Sequence, residues 1–562
     1  GAKDLQSLYG KTAGRQLSTV VTKPELYTGS NGFAIAPSIT RDKSPILYIN
    51  PHVTFYFRPE VHMVSEEGLN VYGAVTWGQF FIYQGFNEHC GWMHTSSQVD
   101  VSDSYIEKLS NENGQWVYEY EHEKKPVTTI QHVFKYKSGD SMLSVTIPAM
   151  YTKHGPIMGK AGAAWLSVRS FNRSTISLQQ SWLRTKATSF AEFRKVLDLR
   201  GNTSNNTVYA DAEGNIAYWH GNYVPQRDPS FNWNKPVDGS IAATEWKGLH
   251  AVNEIIQSIN PPNGWLQNCN STPFTVAGEF SPKQTNYPAY MSADKENFRG
   301  ITAVRVLQKE KHFTIDKVIS AGYDRTLSFF EKLVPALGRA FNNHLEDSLK
   351  QVLREPVAIL QQWDLRSGKQ SVATTLAVTW ADQLNSVINA ASNLDEFEDQ
   401  VTRTNKFADD SANDTLLYQS FAKAIATLIS NYGKWDIAWG EINRFQRINN
   451  ELAPTFDDSK PSIPVEFASS QWGQLASYYS ASFNGTKKRY GVYGNSFICA
   501  VQFGKKIKAK SLLAGGESGN IQSKHFADQA GMYAEGRFKD VLFYKRDIEK
   551  HAERTYHPGE NN

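Results

Sequence analysis

Gly29-Ser30-Asn31-Gly32-Phe33 sets a serine among small residues just ahead of the apolar run Ala34-Ile35-Ala36. A serine hydroxyl is a weak nucleophile at neutral pH and needs a base. A serine at a chain's amino end carries one covalently, since an α-amine has a reference pKa of about 7.7–8.0. Breaking Gly29–Ser30 would create that amine. Glycine ahead of the break suits it, because the missing Cβ admits the strained turn that attack by Ser30 on the preceding carbonyl requires. Ser30 is therefore the candidate nucleophile, although Gly-Ser-Asn-Gly taken alone also reads as a surface turn.

The rest of the chain must hold such a site, and it is large enough to do so. At 562 residues and 63.2 kDa it has room for three or four structural units. Fourteen Trp, 26 Tyr and 30 Phe, with 40% hydrophobic and 20% charged residues, give the balance of a folded globular protein. A formal charge of +3 and no long Lys/Arg run argue against nucleic acid or an anionic membrane as partner. Cys90, Cys269 and Cys499 cannot all pair within the chain, and their spacing is not that of a zinc ribbon or a redox pair. No apolar window of membrane-spanning length and no signal-peptide core is present, so the chain reads as cytoplasmic or as the mature form of an exported protein.

Residues 1–29 are polar and read as a linker or spacer. From Phe33 to about Lys160 the text is strand-like, with clusters such as Ile46-Leu47-Tyr48-Ile49 and Phe80-Phe81-Ile82-Tyr83, and a second strand-rich block reaches Tyr218. Within that block, Phe190, Phe193, Val196 and Leu197 have helical spacing. From Ile315 to Lys434 the pattern turns helical, with predicted segments Val318–Ala340, Ser371–Ala391 and Leu416–Tyr432. After Pro461 short apolar and glycine-punctuated runs return through Phe543. The fold class is α+β.

Five blocks in order carry a resemblance to a known family. They are Ser30-Asn31-Gly32-Phe33-Ala34-Ile35 with Ile49-Asn50-Pro51-His52; Gly85-Phe86-Asn87 with Trp92, Asp100 and Asp103; Tyr209-Ala210-Asp211 with Gly214-Asn215-Ile216; Asn268-Cys269-Asn270-Ser271; and Gly516-Glu517-Ser518-Gly519-Asn520 with Ser523, His525, Asp528 and Gln529. Together they resemble the β-chain of the penicillin acylase family within the N-terminal-nucleophile hydrolases. The resemblance implies a four-layer αββα sandwich with an inserted helical domain: linker or α-chain end at 1–29, core at 30–310, helical insertion at 311–457, and return to the core at 458–562. It also implies autoproteolysis at Gly29–Ser30, a separate α-chain as partner in a heterodimer cut from one precursor, and a periplasmic or secreted location. The reaction implied is hydrolysis of a secondary amide through an acyl-enzyme, with no cofactor for the chemistry.

The family's site residues carry over one by one. His52 matches the position that hydrogen-bonds around the nucleophile, and it is not the general base. Asn270 matches the asparagine whose side-chain amide donates to the oxyanion, an uncharged donor that leaves the nearby amine unquenched. The second donor, a backbone N–H, falls at Ser96 or its immediate neighbours. Arg299, six residues before Arg305, matches the first of an arginine pair, and a guanidinium beside the nucleophile would lower the pKa of its amine. Asp100 and Asp103 match carboxylates of a structural calcium, with Pro229 lending a backbone oxygen to an ion that wants six to eight oxygens. Two positions depart from the pattern: Met291, near Tyr287-Pro288-Ala289, stands where a further aspartate is expected, and Phe86 where many relatives place histidine. Pro51, Val53, Phe80, Phe81 and Tyr83 lie near the matched positions and predict an aromatic, apolar acyl pocket. Such a pocket favours aryl or medium aliphatic acyl groups over charged dicarboxylates.

Three other readings compete. His89, Cys90 and His94 offer zinc ligands, but at poor spacing and with no carboxylate base beside them. A glycosidase built on paired carboxylates, or a carbohydrate- or peptide-binding protein rich in aromatics, fits the composition as well. Only the acylase reading requires a new amino terminus at Ser30.

Overall fold

The structure, a computed structural model, describes residues 29–560 except 163, 172–173, 344–346, 392–397, 452–453 and 558. The expected linker at 1–29 lies outside the described residues save for Gly29. Six strands open the described chain: β1 Gly29–Ile35, β2 Ile46–Thr54, β3 Glu60–Ser65, β4 Leu69–Ala74, β5 Gln84–Asn87 and β6 Cys90–Ser96. β1 is buried along its whole length, its small and polar first half as well as its apolar Phe33-Ala34-Ile35. It pairs antiparallel with β2, placing Ser30 opposite Pro51 and Gly29 opposite His52, and on its other edge with Trp265–Asn268.

β1, β2 and Trp265–Asn268 belong to a ten-stranded sheet that also takes in Arg489–Asn495, Phe497–Gln502 and Lys508–Leu513. A seven-stranded sheet holds β3 to β6 with Asn205–Asp211, Ile216–Trp219 and Gln257–Ile259. The two sheets approach closely at Gly32, where an added Cβ would lie 2.9 Å from Met93 of β6 and 3.1 Å from Val208. Ala34, Leu47, Ile49, Phe86, Met93, Val208 and Cys499 fill the space they share.

Helices cover these sheets. Ile176–Arg184 and Phe190–Leu197 flank the seven-stranded sheet, the second capped by Ser189, whose hydroxyl accepts from Glu192 N at 3.3 Å. Trp92, Phe193, Tyr209 and Trp219 form the core there. On the ten-stranded sheet, Phe298–Lys309 and Ile315–Gly322 pack against Phe33, Tyr48 and Ile498. The predicted segment Val318–Ala340 is two helices, Ile315–Gly322 and Phe330–Asn343. Phe330–Asn343, Asp347–Gln361, Val372–Ala391 and Asp414–Tyr432 share a core around Trp380, Phe421 and Trp472. Phe80-Phe81-Ile82-Tyr83, predicted as a strand, is instead a bend entering β5, stabilised by ring packing of Phe80 on Phe81 and Trp182. A six-stranded sheet built on Ser102–Glu107 carries the long hairpin Thr128–Ser138 and Ser141–Thr152.

Candidate active site

Ser30 lies near the start of β1 and is 4% exposed. Its hydroxyl donates to the carbonyl oxygen of Gly29 at 2.5 Å, so Oγ sits beside the peptide bond that precedes it. Its backbone nitrogen donates to Oδ1 of Asn270 at 2.6 Å, and its carbonyl accepts from Nη1 of Arg299 at 2.7 Å. Ser30, Asn270 and Arg299, distant in sequence, therefore meet at one peptide unit.

Gly29 is needed here for space rather than for a turn. It lies in extended strand, and a Cβ on it would come within 2.9 Å of both Arg299 Nη2 and Asn270 Oδ1.

Asn270, two residues past the strand Trp265–Asn268, adopts φ +57°, a left-handed conformation that asparagine tolerates better than most residues. The side chain of Asn268 holds that turn by accepting from Asn270 N at 3.0 Å and donating to Ser271 O at 3.1 Å. Oδ1 of Asn270 faces two donors, Ser30 N and Arg299 Nη2 (2.9 Å), while Nδ2 donates to the carbonyl of Ser96 at 2.8 Å. These partners fix which way the amide points. Asn268 is in turn held by Thr95 at 2.5 Å and by Asn206 at 3.2 Å, a buried amide network that the sequence pattern did not reveal. Ser96 ends β6 opposite Asn205, and because Ser97 N bonds to Ser204 O, the N–H of Ser96 points away from that strand, past the end of β5.

Arg299 rises from the first turn of the helix Phe298–Lys309, whose cap Asn297 accepts from Gly300 N at 2.9 Å. Its guanidinium also reaches Asn31 Oδ1 at 3.0 Å and His52 Nδ1 at 3.3 Å. His52 is fully buried, and burial together with the Arg299 charge holds it far below the usual histidine range. A neutral ring that accepts at Nδ1 carries its proton on Nε2, and its part here is to position Arg299. Arg305 turns outward to an exposed ion pair with Glu331.

Of the expected pocket residues, Pro51 and Phe81 are buried, Val53 and Tyr83 half-buried, and Phe80 is 59% exposed. Phe86 packs on Tyr72 and Phe543 in the core.

Asp100 and Asp103 do come together, but around a guanidinium. Arg227 Nε donates to Asp103 Oδ2 at 2.8 Å, and its Nη2 lies 3.3 Å from Asp100 Oδ1 and donates to Asp100 O at 3.0 Å; Trp246 also donates to Asp103. A cation of this chain fills the space between the carboxylates, Met291 is buried nearby in the same core as Trp233 and Val237, and among the described residues no group of three or more His, Cys, Asp or Glu is placed to hold a metal. This donor set does not fit calcium. The His89, Cys90 and His94 set does no better: Cys90 donates to Ala187 O at 3.4 Å, and burial pushes its thiol well above the usual range.

A profile of the penicillin amidase family matches residues 2–550. Penicillin G acylase of Escherichia coli is 26% identical over 280 residues, 47% of this chain and 30% of that protein. Acyl-homoserine lactone acylase PvdQ of Pseudomonas putida is 24% identical over 574 residues, 93% of this chain and 69% of that protein. The chain thus spans less than a third of one relative's length and about two thirds of the other's. In structure, the thermostable penicillin G acylase from Alcaligenes faecalis superposes with a TM-score of 0.67 at 18% identity, covering 95% of this chain and all of that one. With mixed α/β architecture, fold and sequence in accord, the chain belongs to the penicillin amidase family.

Proposed function

We propose that the protein hydrolyses a secondary amide with Ser30 as an N-terminal nucleophile, exposed by self-cleavage at Gly29–Ser30. The observation that carries this is the Ser30 hydroxyl at 2.5 Å from Gly29 O, with the Ser30 nitrogen held on Asn270. In maturation Oγ attacks the Gly29 carbonyl carbon and the C–N bond breaks. The Oγ proton goes to the departing nitrogen, and water then hydrolyses the ester, leaving a Gly29 carboxylate and a free amine on Ser30.

In turnover that amine accepts the Oγ proton as Ser30 attacks the substrate carbonyl, then passes it to the leaving amine, and water releases the acid. Asn270 Oδ1 holds the amine, while Arg299 beside it lowers the amine's pKa toward neutrality. The second N–H of Asn270 and the backbone N–H of Ser96 are the oxyanion donors of this reading.

The same reading takes the ten- and seven-stranded sheets as the two inner layers of an αββα sandwich, with 311–457 as a helical insertion. It includes an α-chain from the same precursor, in keeping with a relative named penicillin acylase 2 proenzyme, from Pseudomonas sp. strain SE83, 25% identical over 382 residues. Export to the periplasm or beyond has the family resemblance as its support. Intact-mass measurement tests the core of the proposal: the mature chain begins at Ser30 and Ser30→Ala stays uncut, whereas normal processing of Ser30→Ala would overturn it.

A further inference from the structure

Tyr83 gathers basic side chains around its ring. The guanidinium carbons of Arg58 and Arg184 lie 4.8 and 5.5 Å from the ring centre, and the His94 ring 5.2 Å from it. Arg184 is 3% exposed and spends one donor on Tyr83 O at 2.9 Å. Beyond that, Nε and Nη1 of Arg58 and Nε of Arg184 are buried without a partner among the described residues. Burial lowers the pKa of both, Arg184 to about 10, and Tyr83 alone pulls the other way. His94 adds no charge, because burial and the neighbouring arginines hold it well below the usual histidine range. Arg184 is buried and Arg58 half-buried, and guanidinium donors left unpartnered beneath the surface cost stability, so two around one ring call for an anion.

The cluster lies at the start of β5, against His94 of β6, two residues before Ser96. The N–H of Ser96 points past the end of β5, the side on which His94 N meets Gln84 Oε1 at 3.2 Å and Tyr83 precedes the strand. The Tyr83 hydroxyl accepts from Asn205, the partner of Ser96 across the strands, at 2.9 Å. Phe80 and Trp182 stand alongside and supply apolar wall.

Resting on the amidohydrolase reading above, we propose that Arg58 and Arg184 bind a carboxylate at the far end of the substrate's acyl group. The favoured substrates are then half-amides of dicarboxylic acids, the reverse of what the aromatic sequence pattern led us to expect. The sequence hid this because Arg184 comes from a helix a hundred residues downstream of Tyr83 and meets it only in the fold.

Calorimetry of the full-length protein with glutarate and with pentanoate, which differ only in the terminal carboxylate, tests the site without catalysis. Glutarate should bind at least about tenfold tighter, and Arg184→Gln and the more exposed Arg58→Gln should each weaken it by about 10- to 100-fold, the scale of a lost charge-assisted hydrogen bond. Equal binding of the two acids, or variants that bind glutarate as the wild type does, overturns the proposal. Turnover of glutaryl and pentanoyl amides of one common amine separates the two levels. Selective glutarate binding with no turnover of either amide keeps the carboxylate site and removes the amidohydrolase reading; brisk pentanoyl turnover without glutarate selectivity does the opposite.

Discussion

At the scale of single residues, the peptide unit Gly29–Ser30 is crowded on one side by Arg299 and Asn270, and that crowding makes two substitutions informative. Gly29→Ala puts a methyl within 2.9 Å of both partners, so the hydroxyl and carbonyl should lose alignment. Self-cleavage is expected to slow strongly while the chain still folds, as followed by denaturing gel over time. Cleavage at the wild-type rate would mean that the space is not limiting. Asn270→Ala removes the amide that accepts from Ser30 N, which in the proposed mechanism holds the new amine and donates to the oxyanion. It should cost roughly 3 kcal/mol of transition-state stabilisation, seen as a fall in kcat with KM little changed. Activity within a few-fold of wild type would reduce Asn270 to a turn former.

At the scale of elements, two charge clusters tie the strand Ser102–Glu107 to segments beside it. Arg227 ties Asp100 to Asp103 where a metal was expected from the sequence. Arg227→Met should therefore destabilise by about 3–5 kcal/mol, as when one partner of a buried pair is removed, and excess chelator should leave the wild-type Tm unchanged. A Tm that falls in chelator would restore the metal.

The second cluster is His154, fully buried between Glu107 (2.8 Å) and Glu245 (2.9 Å), with Lys153 at 2.8 Å and Arg169 at 3.2 Å from Glu245. Burial opposes the imidazolium, but the hydrogen bonds it donates to the two carboxylates raise His154 above 6.5; burial likewise opposes the Glu245 carboxylate, yet His154 and Lys153 lower it from 4.5 to about 2. The His154 contribution is whole below pH 6.5 and is lost as pH rises through its folded value. The Glu245 contribution is whole above pH 4.5 and is lost as pH falls toward about 2. Amide exchange across Ser141–Thr152 and Ala164–Ser170 should thus be slowest between pH 4.5 and 6.5 after correction for intrinsic rates, and a profile flat over pH 3–8 would speak against it.

These elements show what the sequence made legible. Runs with a clear period, such as Phe190–Leu197 and Val372–Ala391, read correctly because propensity and burial agree there. Phe80–Tyr83 misled, since aromatic residues that favour strands are equally served by ring packing in a bend. Motifs singled out Ser30, Asn270 and Arg299, which the structure brings to one peptide unit. Arg227, Asn206, Arg58 and Arg184 belong to no local pattern, and only three-dimensional neighbours give them meaning.

At the scale of the whole molecule, the residues around Ser30 depend on segments more than four hundred residues downstream. Asn31 donates to Leu475 O at 2.7 Å, Asn50 to Asn495 Oδ1 at 3.1 Å, and Ser496 to Pro51 O at 2.9 Å. β2, which sets the register of β1, itself lies between Arg489–Asn495 and Phe497–Gln502. Closing a loop of that length costs conformational entropy before any of these contacts repays it, so the sheet forms late and as a unit. Cleavage at Gly29–Ser30 needs a fixed alignment of hydroxyl and carbonyl, and it should therefore wait for the far strands. Chains ending at residue 470 or at residue 496 are expected to remain uncut, while one ending after Val541, past the last strand of the sheet, regains cleavage. Pulse-labelling during synthesis should likewise show the intact precursor at full length before the mature fragment appears. Efficient cleavage of the chain that ends at 470 would show that β1 and β2 align Ser30 by themselves, and the long-range closure would then serve stability rather than maturation.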